Sequence, residues 1–422
     1  MPINRSVSYS KLFLVVFASL WSSALQAGAT CTMQIVGDTL KIDGCNVQIT
    51  NGTGSTATTN GLGNLIIGYN EPRSDTTPAD RAGSHNVIVG VRHHYPSYAG
   101  MALGRQNTIS GPYSSVTGGG QNAASGNRSS VSGGQNNIAS GDFSSVSGGN
   151  QNVASGSSAS VAGGDLNQAT NIETSVTGGE HNLASGLFAS VTGGNANTAS
   201  GQWSALSGGS INVAGGIGSS VIGGIYNKAT GEQASVSGGA YNTASGSGSS
   251  VSGGSESTAS GDNASVSGGS GVASGTNSAV SGGNGGASGD YSSVSGGSGE
   301  ASGDYSSVAG GIYATASGSY STVSGGSFNK AIGDSSSVSG GSYNTAGGES
   351  DTSVTGGAYN TATGESASIS GGIYGVASGS TASVSGGSGN VASGDDATVS
   401  GGLGRSAPSD QDWAAGGLFQ NN

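Results

Sequence analysis

Few residues in this chain have the spacing to do chemistry. His85, His93 and His94 lie close enough together to suggest a metal, but no further ligand follows at useful spacing. They are expected to be solvated loop residues. Serine is abundant, yet no Ser-His-Asp set or paired carboxylates stand out, so neither a catalytic centre nor a cofactor or metal is expected. Cys31 and Cys45 stand with 13 residues between them and are most simply a disulfide. Closing a loop of that size would stabilise the terminus by about 3 kcal/mol.

The remaining candidates recur in columns. Asn122, Asn137, Asn152, Asn167, Asn182 and Asn197 fall 15 residues apart. They are expected to be structural: a stacked amide ladder at a bulge, each member bonding the coils above and below. One position earlier stand Tyr226, Tyr241, Tyr313, Phe328, Tyr343, Tyr359 and Tyr374, and a second aromatic set comprises Phe143, Phe188, Trp203, Tyr291, Tyr305 and Tyr320. Two accounts compete for these rings. They pack at an oligomer seam or along an edge, or they form an exposed adhesive stripe. The Ser130, Ser145, Ser160 and Ser175 column could offer a hydroxyl row to ice. The Gly-Gly pairs invite comparison with phosphate loops and calcium-binding nonapeptides, but no helix follows and no Asp holds a fixed column, so turns are expected.

These columns come from one repeated sentence. Two copies read Ser-Ser-Val131-Ser-Gly-Gly-Gln-Asn-Asn-Ile-Ala139-Ser-Gly and Ser-Ser-Val146-Ser-Gly-Gly-Asn-Gln-Asn-Val-Ala154-Ser-Gly. The Val column steps by 15 from Val116 to Val266, by 14 at Val280, Val294 and Val308, once by 16 at Val354, and by 15 elsewhere through Val399. A fixed period of this size means one unit stacked on copies of itself. Each unit halves into an apolar residue and a Gly, too short for a helix and a turn but long enough for a strand of three or four residues. The fold predicted is an all-β parallel solenoid of 14–15-residue coils with two short strands per coil.

The 85 glycines and 8% charged residues exclude an ordinary globular core. Residues 1–29 read as a signal peptide, with Arg5 and Lys11 before an apolar run and Ala27-Gly-Ala29 at the cleavage site. The apolar run is too short for a membrane span. Its removal leaves 9 Lys and Arg against 23 Asp and Glu, so nucleic acid and anionic membranes are not expected partners. Residues 30–60 read as a disulfide-bridged hairpin and linker, and 61–115 as divergent capping coils with a loop insertion. Residues 116–407 read as regular repeats, and 408–422 as a closing rung with Leu418 and Phe419 as a lid.

Ser-x-Val-x-Gly followed by Ala-Ser-Gly at this step, over roughly Asn64 to Gly417, resembles the YadA-like head repeats of trimeric autotransporter adhesins. The resemblance implies a left-handed β-roll, a homotrimer, and binding to host, matrix or cell-surface macromolecules. The family's coiled-coil stalk and membrane-anchoring barrel segment have no counterpart in the sequence. Physics also favours an oligomer: one Val and one Ala per coil bury little against the ordering of fifteen residues, and a second apolar seam would help. The expectation is an exported, non-enzymatic adhesin at the cell surface or outside the cell. The alternatives are an extracellular structural filament or an ice- or polysaccharide-binding solenoid.

Overall fold

The computed structural model describes residues 31–73 and 81–416. The signal segment, the middle of the loop insertion, and Leu418 and Phe419 lie outside the described residues. Two units separate, residues 1–49 and 50–422. In the first, β1 (Thr32–Val36) pairs antiparallel with β2 (Thr39–Asp43) around Gly37-Asp38. Cys31 and Cys45 are bonded across its open end, with Cα atoms 5.0 Å apart.

The second unit is a parallel β-solenoid of about 22 turns, with two short strands in each. Its first strands, β3 (Leu65–Ile67), β4 (Val87–Val91) and β5 (Met101–Arg105), run three to five residues. Beyond them most strands are only two residues long, such as Ser145–Val146 and Val153–Ala154. They are shorter than the repeat suggested because a turn intervenes at once on either side. Register is strict: Val131 pairs with Val146 and Val146 with Val161 on one face, and Ala139 with Ala154 on the other. Stacking at about 4.8 Å per coil gives a rod on the order of 100 Å long.

Besides a buried Asn column, three side-chain columns fill the narrow interior. The Val and Ala columns are fully buried. The third lies two residues before each Val and alternates small residues: Ser129, Ser144, Ala159, Thr174, Ala189, Ser204. Most of its hydroxyls make no hydrogen bond, although Ser249 Oγ donates to Gly246 O at 2.7 Å. Only a small side chain fits there, which explains why Ser and Ala interchange.

The two turns of a coil close differently. After Ala139, Ser144 N donates to Gly141 O at 3.1 Å, enclosing Asp142 and Phe143, and Phe143 takes a φ of +59°. Positive φ therefore falls two residues after the glycine. Gly141 is needed for closeness instead, since a Cβ there would lie 2.0 Å from Gly156 O in the next coil. In the other turn Gly149 has both constraints, a φ of +86° and a Cβ position 2.1 Å from Gly164 O.

Candidate binding surfaces and the ladder that holds them

The Asn column closes the turn whose backbone bonds run to the neighbouring coils and not within its own, such as Asn150 N to Gly164 O and Gln151 N to Gln135 O, both at 3.0 Å. Asn152 Nδ2 donates to Gly148 O in its own coil and to Gly164 O in the next, both at 2.9 Å. Its Oδ1 accepts from Asn167 N at 3.0 Å, and its own N–H reaches Asn137 Oδ1 at 2.9 Å. Each side chain thus grips its own coil and the one that follows, and only its backbone reaches the one before. Asn122, Asn137, Asn167, Asn182 and Asn197 repeat this pattern, all essentially buried. A fully satisfied buried amide locks register, because slipping by one residue would strand every member at once.

The ladder has an unexpected first rung. His93, only 2% exposed, occupies the Asn position of a capping coil. Its Nδ1 accepts from Asn107 N at 3.3 Å, which puts the proton on Nε2, 3.0 Å from Val89 O. That is the i−4 carbonyl an Asn amide would use. His93 is therefore a buried structural residue and not a solvated one. His85 is also tied down, accepting from Asn51 N at 3.2 Å.

Burial holds the His93 imidazole below the ordinary histidine value of 6.5, outweighing its backbone hydrogen bonds, and the positive charge of Arg73 adds to the depression. A lowered folded value means that the unfolded chain binds the proton first. The stabilisation is intact above pH 6.5 and declines as pH falls from there toward the folded value. Hydrogen exchange, corrected for intrinsic rate, should show the coils around Val89 to Gln106 opening on acidification while coils beyond Val176 stay protected. A His93→Asn variant should abolish that pH dependence.

The aromatic columns stand on the residues with positive φ. Tyr226, Tyr241, Tyr313, Phe328, Tyr343, Tyr359 and Tyr374 all take φ between +54° and +58°. Bulky residues rarely accept this region. Here chain closure imposes it: Tyr343 N donates to Ser327 O one coil back at 2.9 Å, fixing the backbone of each rung on the last. Tyr226 and Tyr241 stack at 5.0 Å. Tyr313, Phe328, Tyr343, Tyr359 and Tyr374 form a continuous run with centroids 4.7 to 5.1 Å apart. On the other edge Tyr291, Tyr305 and Tyr320 stack at 4.9 Å, and Phe188 lies 6.1 Å from Trp203. The rings both pack along an edge and stand open, with Phe328 38% and Tyr313 62% exposed. Because each ring covers its neighbour's face, a run offers solvent its edges and phenol hydroxyls. Desolvation between the flanking rings, then the Tyr291 and Tyr320 hydroxyls and the Asp304 and Asp290 carboxylates, hold the Tyr305 phenol above its ordinary value. It remains a neutral donor.

Beside this second stripe runs a carboxylate column that the repeat did not advertise. Asp142 Oδ1 accepts from Asn127 N at 3.0 Å, and Asp262, Asp290, Asp304, Asp334 and Asp395 each accept from the backbone one coil back. The signal was an Asp right after Ala-Ser-Gly, diluted by other residues in most coils. Among the described residues, no group of three or more His, Cys, Asp or Glu could hold a metal ion, and no helix is long and apolar enough to cross a membrane. No family model matches the chain, and no match is found among curated proteins.

Proposed function

We propose that this chain is the head of an exported, non-enzymatic attachment protein, resembling the YadA-like adhesin heads and assembling as a homotrimer. The observation that supports this reading best is the long run of exposed aromatic edges, repeated about every 5 Å along the coil stack. Such a stripe suits a broad macromolecular surface, where many weak contacts add through multivalency. Light scattering on the processed chain should give a stable threefold mass, and a monodisperse monomer would sink the trimer. Deleting the gene should abolish attachment of the producing cells to matrix-coated surfaces. The natural chain should restore it, whereas one carrying Tyr343→Ser, Tyr359→Ser and Tyr374→Ser should not. Full attachment by that variant would remove the stripe from the mechanism.

One observation favours a second reading. The outer face of the Val sheet carries two hydroxyl columns, such as Ser145 with Ser147 and Ser190 with Thr192, over many rungs. A flat hydroxyl lattice suits ice or a crystalline polysaccharide. Thermal hysteresis by the purified chain would move this reading ahead.

A further inference from the structure

The three 14-residue coils interrupt both the Asn ladder and the aromatic column. The ladder stops at Ser257, whose N–H takes Asn242 Oδ1 at 2.9 Å and whose Oγ reaches Gly269 O at 3.1 Å. It resumes at Asn329. Between them the coils of Val266, Val280 and Val294 are each one residue shorter at this edge: Gly271, Gly285 and Gly299 take the buried place of the Asn, and no residue takes the place of the ring. The edge is therefore notched.

The notch encloses about 660 Å³ and is lined by Val272, Asn284, Gly286, Ser288, Glu300 and Tyr313, among others. Its floor follows from the pairing. Val272, Gly286 and Glu300 are successive members of one outward column, so the missing side chain of Gly286 leaves a pit between an isopropyl group and a carboxylate. A Cβ added at Gly286 would meet nothing within 4 Å.

Tyr313 forms one wall, and a bulge puts it there. Ser298 pairs with Ile312 and Glu300 with Thr315, so Tyr313 and Ala314 stand opposite the single Gly299. Bulges of this kind re-aim a side chain. Tyr313 stacks on Phe328 alone, at a 30° tilt, and is the most exposed ring of its column. Its other face is uncovered and borders the notch. Interior rings such as Tyr343 are covered on both faces.

We infer that this notch is a binding site for a neutral saccharide unit, with a pyranose ring stacked on Tyr313 and its hydroxyls held by Glu300, Asn284 and Ser288. An aromatic face is electron-rich and attracts the polarised C–H groups of a sugar's apolar side. A carboxylate accepts two hydroxyl hydrogens, and an amide offers both a donor and an acceptor. The volume falls within the ~300–1,000 Å³ typical of small-ligand sites. Two other ligand classes fit less well. Anionic ligands would meet Glu300 in a chain of net charge −12. An added peptide strand needs an unpaired edge, but the Val272–Gly286–Glu300–Thr315 pairing runs unbroken through the floor.

The inference is independent of the attachment reading, because it is tested on the purified full chain free of cells. Saturation-transfer NMR and calorimetry with cellotetraose, chitotetraose and laminaritetraose should show saturable binding of at least one. Gly286→Val fills the pit with a residue that Val272 already shows the column accepts, and it should abolish that binding while leaving the far-ultraviolet spectrum unchanged. Tyr313→Ala should weaken binding at least about tenfold, and Tyr343→Ala should leave it within about twofold. Absence of binding by all three probes at millimolar concentration would overturn the inference. So would equal losses in the Tyr313 and Tyr343 variants, or binding of tetramethylammonium with indifference to the sugars.

Discussion

Gly179→Ala is expected to break the rod at its rung. The backbone there has a φ of +85°, and an added Cβ would lie 2.1 Å from Gly194 O and 2.5 Å from Asn182 Nδ2. The left-handed conformation alone costs a residue with a side chain about 1 kcal/mol. The larger effect is steric, since the methyl displaces the next coil and the amide that ties the two together. A total of about 3–5 kcal/mol places it among the severe single substitutions. The neighbouring glycine supplies the control. A Cβ on Gly178 meets nothing within 4 Å, so Gly178→Ala should cost under about 1 kcal/mol. Each coil touches only its neighbours, so the damage should be local. Hydrogen exchange should report lost protection around Val176 and Val191, with coils beyond Val323 unaffected. Equal behaviour of the two alanine variants would refute the argument.

Asn152→Ala should come next in severity. It removes the acceptor for Asn167 N and the donor for Gly148 O and Gly164 O. Gly164 O keeps Asn150 N as a donor at 3.0 Å, so two groups lose their partner; at about 1–3 kcal/mol for each, the sum is about 2–4 kcal/mol allowing for partial relaxation. The chain contains its own milder version. Ser257 still presents its N–H to Asn242 and its hydroxyl to Gly269 O, but it cannot bridge two carbonyls. Asn152→Ser should therefore lie between the parent and Asn152→Ala in local exchange protection. If serine and alanine behave alike, the side-chain bond to the next coil carries little of the stability.

Much of this architecture could be read from the repeat. The 15-residue step and the flanking of Val131 by Ser130 and Ser132 identify a solenoid with Val and Ala inside, since these follow from period and alternation. The Asn column, too, is visible in the spacing. What escaped was whatever residue type conceals. Ser129 and Ser144 are buried as fully as Val131, although hydroxyls ordinarily mark a surface. His93 stands in for an amide at a step of 14, and neither its type nor its spacing links it to the Asn column. A run of tyrosines in the left-handed region runs against local preference, and only coil-to-coil hydrogen bonding explains it. The notch was concealed differently. Three absent residues and one glycine define it, and Glu300 looks like any surface carboxylate until the pairing sets it beside Gly286.

The one-way grip of the amide ladder also bears on how such a chain becomes a rod. Every finished coil displays an unused amide oxygen and an unused amide N–H to the segment that follows it in sequence, about 15 residues on. The nearest partner is always the next stretch to emerge, so loop closure is short and its entropic cost is the same at every step. The chain can wind itself up in the order of its synthesis, each coil templating its successor. Lengthening the rod then requires only that one more copy of the sentence be spelled.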